Sequence, residues 1–322
     1  MDAGEVRTEC AAVIDEIEGA VVVDRSTLEV VLSGFLAGGH VLLEDVPGTG
    51  KTLTARSLAD ALDLSFSRIQ FTPDLLPGDV TGSEVFDERS GDLEFRPGPL
   101  FANVVLADEI NRASPKTQSA LLEAMAEGQV TVNGTAHVLP DPFFVIATQN
   151  PVEQAGTFEL PEAQKDRFVV KTSLGYPDEE GELTLVDRRA DREAPTPSVD
   201  AVSSPERVAA LRRAPESVTV EPDVRRYVVR LTRATREDDL VRIGASPRGT
   251  QRLFETSRAV AVVRGREYVT PDDVADVAEA VLAHRLVLTS DARIDGVDER
   301  EVVRDALDRV PVPTVSESAR TS

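Results

Sequence analysis

The sequence predicts an α/β fold, a parallel five-stranded sheet with helices on both faces, followed by an all-α domain. Three observations predict it. Short apolar runs of strand length alternate with helical stretches between residues 40 and 172. From Pro177 to Pro205 the composition turns to Asp, Glu, Arg, Pro and Ser. Beyond that, apolar residues recur at helical spacing behind Ser-Pro and Thr-Pro starts. A chain of 322 residues is too long for one compact core. The expected units are residues 1–176, the α/β core; 177–204, a connecting helix and linker; 205–310, a helical lid; and 311–322, a disordered tail.

Taken in order, residues 1–40 read as helical, with Ile14, Ile17, Val21, Leu28, Val31, Leu32 and Phe35 three or four apart. His40–Glu44 is an apolar run of strand length. Phe66–Phe71, Val104–Ala107, Phe143–Ala147 and Phe168–Thr172 are four more. Helices are expected over Lys51–Ala61, Pro115–Ala126 and roughly Glu159–Arg167. Two insertions break the alternation, Pro73–Leu100 and Gln129–Val138, and the second carries Asn133-Gly134 between alternating arms, a hairpin signal. Both precede a core strand. Asp178–Arg189 reads as a helix and Glu193–Ser198 as a linker. Further helices are expected over Pro205–Arg213, Pro222–Thr235, Pro247–Val263, Pro271–Arg285 and Asp298–Arg309, with Ser246 and Thr270 as caps ahead of proline.

The chemistry begins at Asp45-Val46-Pro47-Gly48-Thr49-Gly50-Lys51-Thr52-Leu53. This run follows a strand and opens a helix, the context of a phosphate loop. The loop Pro47–Leu53 would wrap the phosphates, with the backbone N–H groups of residues 48–53 facing them at a helix N-terminus. Lys51 would reach the β- and γ-phosphates, and the Thr52 hydroxyl would ligate Mg²⁺. The loop's usual first glycine is Asp45 here. Some 55 residues on, the apolar strand Val104-Val105-Leu106-Ala107 ends in Asp108-Glu109. Asp108 would hold Mg²⁺, and Glu109 would activate the attacking water as a general base. Such a pair suits ATP hydrolysis better than a GTP switch. Asn150, ending Ile146-Ala147-Thr148-Gln149, is placed to sense the γ-phosphate. Charge building on that phosphate calls for a further cation. Arg167, ahead of the last strand, is the candidate finger for a neighbouring subunit; Arg248, opening a lid helix, is a candidate sensor; Arg112 is a third candidate.

Composition limits the partners. The net charge of −22 opposes any general attraction to nucleic acid. Only four of the 35 cations are lysines (Lys51, Lys116, Lys165 and Lys171), a pattern similar to cytosolic proteins of salt-loving archaea. No apolar run is long enough for a membrane span. Cys10 is the single cysteine, which fits a reducing cytoplasm, and His40, His137 and His284 have no ligand-spaced partners for zinc.

The order phosphate loop, Asp-Glu strand, polar sensor, arginine and helical lid resembles an AAA+ ATPase. Within that class the chain resembles the MoxR family, over about residues 10–310. The likeness is carried by Ile69–Asp79, Gly98–Phe101, Asp108–Ala113, Ala120–Met125 and Ala147–Pro151. The resemblance implies a ring, most often a hexamer, with ATP between subunits and a chaperone-like role in remodelling protein complexes. It also implies work beside proteins with von Willebrand factor A domains. Asn150 matches the first sensor, Arg167 the finger and Arg248 the second sensor. Asp45 departs from the pattern, as does Asp24, where the family often has glycine beside the adenine-contacting segment Val21–Asp24. A nucleic-acid motor is the rival reading, weakened by a hairpin tip, Val132-Asn133-Gly134-Thr135, without a cation. A non-catalytic scaffold is a third, opposed by the presence of both Lys51 and Glu109.

Overall fold

The computed structural model describes residues 3–86, 88, 91–152, 157–158, 160–194 and 196–313. Its first part runs α1 (Ala3–Ala20), α2 (Arg25–Leu36), β1 (Val41–Glu44), α3 (Lys51–Ala61), β2 (Phe66–Gln70), α4 (Pro77–Thr81), β3 (Gly82–Phe86), β4 (Leu93–Pro97), β5 (Val104–Asp108), α5 (Pro115–Glu127), β6 (Gln129–Val132), β7 (Thr135–Val138), β8 (Phe144–Gln149), α6 (Glu162–Lys165) and β9 (Val170–Thr172). A connecting helix α7 (Glu179–Asp191) leads to α8 (Pro205–Leu211), α9 (Pro222–Ala234), β10 (Val241–Ile243), α10 (Pro247–Val263), α11 (Pro271–Leu282), β11 (Val287–Leu288), α12 (Ser290–Ile294) and α13 (Glu299–Arg309).

The five core strands form one parallel sheet in the order β2-β5-β8-β1-β9. Their apolar residues alternate between two cores, as a period of two requires. Val41, Leu43, Val104, Leu106, Phe144 and Ile146 face one cluster; Leu42, Val105, Ala107, Val145 and Ala147 face the other. The first cluster continues through α1 and α2 into the lid, so Leu28, Val31 and Phe35 share a core with Leu253 and Val260. The second is closed by α5, whose Leu121, Leu122 and Met125 are buried there.

Three expectations are corrected, whereas the 1–40 stretch is helical, as expected, and divides into α1 and α2. The β-branched run Val21-Val22-Val23 disfavours helix, and Asp24 restarts it by accepting the Ser26 N–H at 2.8 Å. Asp24 is thus a helix cap, which accounts for an acid where glycine was expected. The helix expected over 159–167 is only the short α6; Glu159 lies outside the described residues. The strand expected from Phe168 begins at Val170, although the Val169 N–H already bonds to His40 O at 2.8 Å. The lid is not purely helical: β10 and β11 pair antiparallel, three residues against two, too short to leave a period in the sequence. The tail expected to be disordered lies outside the described residues from position 314 onward.

The two insertions are both hairpins, β3–β4 and β6–β7. At the root of the first, Gly82 (φ 94°) and Gly98 cross so closely that a Cβ on either would strike the other's backbone. The hairpins also touch each other. Asn133 Nδ2 donates to Glu84 Oε2 at 2.8 Å, and the rings of Phe95 and His137 stack at 3.7 Å between centroids.

Candidate functional site

The phosphate loop joins the end of β1 to the start of α3, with Gly48 (φ 92°) and Gly50 (φ 89°) in the left-handed region. A Cβ at either would meet nothing within 4 Å, so the loop curls around open space. Lys51 Nζ folds back over this hollow to donate to Asp45 O at 3.0 Å and Val46 O at 2.7 Å. Partial burial lowers its ammonium below the ordinary lysine value, with Asp45, Asp108 and Glu109 pulling the other way.

Asp45 is buried, and its carboxylate holds two backbone donors across the end of the sheet. Oδ2 accepts from Leu174 N at 2.6 Å and Oδ1 from Gly175 N at 3.1 Å. It is not among the described residues with positive φ, so nothing in its backbone calls for glycine. The expected first glycine is therefore replaced by a side chain that ties the loop to the segment after β9.

Asp108 ends β5 beside the loop. Thr148 Oγ1 donates to its Oδ1 at 2.7 Å and accepts from Glu109 N at 2.8 Å. Arg68, on the neighbouring strand β2, donates to Asp108 Oδ2 from Nη2 at 2.5 Å and from Nε at 3.1 Å. The same Nη2 reaches Gln70 Oε1 at 2.9 Å, and Gln70 Nε2 donates to Glu109 Oε2 at 2.9 Å. Arg112 Nε lies 3.1 Å from that same oxygen of Glu109. Glu109 sits at φ 57°, ψ 50°, a left-handed backbone that costs a non-glycine residue on the order of 1 kcal/mol.

These groups enclose a cavity of about 440 Å³ lined by Pro47, Gly48, Gly50, Lys51, Thr52, Leu53, Arg68, Gln70, Asp108, Glu109 and Asn150. Asn150 follows the last residue of β8 and is buried, with its Oδ1 accepting from Val152 N at 3.1 Å. Thr49 turns away and lines a larger, adjoining cavity of about 1160 Å³ between the loop, the start of α2 and the lid. Val21–Asp24 line neither cavity. The hydroxyl of Thr52 and the carboxylate of Asp108 are hard oxygen donors of the kind Mg²⁺ prefers. No cluster of three His, Cys, Asp or Glu able to hold a metal occurs among the described residues. A cation here would therefore be shared with a phosphate, as Mg²⁺ commonly is.

Arg167 and Arg248 are not part of this lining. Arg167 Nη1 donates to Leu122 O. Arg248, at the start of α10, has its Nε 3.8 Å from Asp166 Oδ2. Arg248, in the lid, thus faces the residue that precedes Arg167 in the core. Sequence reasoning missed Arg68, Gln70 and Thr148. Their contacts depend on β2 and β8 flanking β5, an order that no local pattern announces.

A family described as "ATPase family associated with various cellular activities (AAA)" matches residues 40–170, and one described as "AAA lid domain" matches 233–306. The chain is 41% identical to Chaperone MoxR1 of Mycobacterium tuberculosis over 98% of this chain and 85% of that one. It is 34% identical to Protein MoxR of Paracoccus denitrificans over 85% of this chain and 87% of that one. It also matches the crystal structure of a candidate ATPase from Cytophaga hutchinsonii at 40% identity and a TM-score of 0.89, covering 97% of both chains.

Proposed function

Because the chain belongs to the MoxR family of AAA+ ATPases, we propose that it hydrolyses ATP to ADP and phosphate in a ring of identical subunits and uses the cycle to remodel protein complexes. The observation that carries this reading is the convergence of Lys51, Thr52, Asp108, Glu109 and Asn150 on one cavity beside open loop glycines. Lys51 would exchange its two carbonyl partners for phosphate oxygens. Thr52 and Asp108 would hold Mg²⁺, which neutralises phosphate charge when bound. Glu109, steadied by Gln70 and Arg112, would take the proton from the attacking water. Asn150 would report the γ-phosphate. Arg167 and Arg248 stand off their own chain's cavity, which supports their acting on the cavity of an adjacent copy. A hexamer, a cytoplasmic setting and a von Willebrand factor A partner belong to the same proposal. Nucleic acid is not favoured as a client, because the tip residue Asn133 is bonded to the acid Glu84. Among the described residues no helix is long and apolar enough to cross a membrane.

The test is ATP binding and turnover across protein concentration for the parent, Lys51→Ala and Glu109→Gln. Turnover per chain should rise with concentration as rings assemble. Lys51→Ala should lose ATP binding, and normal binding would sink the site assignment. Glu109→Gln should bind ATP with turnover lower by about 10²–10⁴-fold; parental turnover would remove it as the base.

A further inference from the structure

Arg285 closes the 3₁₀ turn Ala283–Arg285 that follows α11, so it belongs to the lid, yet its side chain enters the core and is only 2% exposed. Its hydrogen bonds, apart from those to His284 and Val281, are made to the loop that carries Arg167. Nε donates to Asp166 Oδ1 at 2.8 Å. Nη2 donates to Phe168 O at 2.7 Å and Asp166 O at 3.4 Å. Nη1 donates to Val169 O at 3.3 Å and to Val281 O of its own helix. The five guanidinium N–H groups are thereby all engaged, and carbonyls on both sides of Arg167 are held by one lid residue. His284 Nε2 adds a contact to Phe168 O at 3.1 Å.

The other oxygen of Asp166 faces Arg248, 3.8 Å away. Gly249, next in α10, presses on Arg285 itself; a Cβ there would stand 3.2 Å from Arg285 Cδ. Burial draws the Arg285 guanidinium down to about 10, with Asp166 opposing, so it stays charged at neutral pH. A buried cation spent mainly on one loop is an expensive brace, because removing either partner leaves a charge unpaired.

We infer that Asp166 and Arg285 are a positioning pair that sets the aim of Arg167 and Arg248, so that the lid of one subunit governs the arginines it offers to the next. The inference rests on the proposal that Arg167 acts in trans. It assigns to neither residue a contact with nucleotide.

Mixed assemblies test both steps separately. A subunit with Asp166→Asn should keep its own nucleotide affinity within about two-fold of the parent, yet its homogeneous assembly should lose at least ten-fold in turnover. Mixed with Lys51→Ala, which lacks a working cavity but keeps its arginines, it should recover turnover, because the Asp166→Asn cavity is intact. Mixed with Arg167→Ala it should not, because neither subunit then offers a well-aimed arginine. Arg285→Lys, which keeps the charge but cannot serve three carbonyls and a carboxylate at once, should fall in the same group with a smaller loss, and it carries the test if Asp166→Asn fails to fold. The inference is overturned if Asp166→Asn rescues Arg167→Ala as well as Lys51→Ala does, or if its own assembly turns over like the parent. If Lys51→Ala and Arg167→Ala fail to rescue each other, the trans finger itself is refuted and this inference goes with it.

Discussion

Restoring the glycine that the phosphate-loop pattern calls for should harm this protein. In Asp45→Gly, the N–H groups of Leu174 and Gly175 lose the carboxylate that accepts them at 2.6 and 3.1 Å. The Leu174 contact is fully buried, so water offers it little compensation. Each orphaned donor costs about 1–2 kcal/mol. A glycine where the backbone needs no positive φ adds about 0.5–1 kcal/mol through the freer unfolded chain. The sum is about 2.5–5 kcal/mol. With a urea slope of about 3 kcal/mol per molar for a chain of this size, the midpoint should fall by about 0.8–1.7 M. Asp45→Asn, keeping one acceptor oxygen and setting an amide against the other donor, should lie between. Equilibrium urea unfolding followed by circular dichroism reads all three proteins. A midpoint for Asp45→Gly at or above the parent's would refute the argument, because the two bonds would then contribute nothing.

Other outcomes follow from buried charge and net charge. His40 accepts from Val145 N at Nδ1 (3.0 Å) and meets Met125 O at Nε2 (3.0 Å), which fixes a neutral tautomer, and burial pulls its value from 6.5 down to about 4. The unfolded chain therefore binds a proton first as pH falls. Its stabilisation is complete above pH 6.5 and is lost towards pH 4, by up to about 1.4 kcal/mol per pH unit. His284, also buried and lowered, adds a slope of the same sign. His40→Gln should flatten that slope in unfolding measured between pH 7 and 4.5, and an unchanged slope would dismiss His40 as a contributor. With a net charge of −22, the melting temperature should climb several degrees between about 0.1 and 1 M KCl, as the screening length shrinks from about 10 to 3 Å. A flat response would remove the halophile reading.

The loop, the Asp108-Glu109 pair and the five core strands were legible because each is a local pattern. A strand-turn-helix with two glycines and a lysine needs only nine consecutive residues to be read. What stayed hidden is long-range. Asp45 looked like a defect in the loop because its partners lie about 130 positions away, beyond β9. Arg68 lies inside an expected strand, and only the pairing of β2 with β5, with Gln70 in register with Asp108, brings its side chain to that acid. Arg285 looked like the end of a helix, and nothing near it in sequence shows that it spends its charge on residues 166–169. The break at Val21–Asp24 was readable in hindsight from three consecutive valines before a capping acid. The β10–β11 pair was not.

The paired insertions have a mechanical consequence. The β3–β4 hairpin feeds the lower end of β5, whose upper end is Asp108; the β6–β7 hairpin feeds β8, whose upper end leads into Asn150. Because Asn133 is bonded to Glu84 and His137 is stacked on Phe95, the two form one lever with two handles. Displacement at either tip is shared by both before it enters the sheet. It then has two parallel rods to travel, β5 and β8, each about 17–20 Å long at about 3.3 Å per residue. The rods lie side by side in register, Val104 against Phe144 through Ala107 against Ala147. A pull on the lever would draw the two strands together rather than shear one past the other, moving Asp108 and Asn150 as a set.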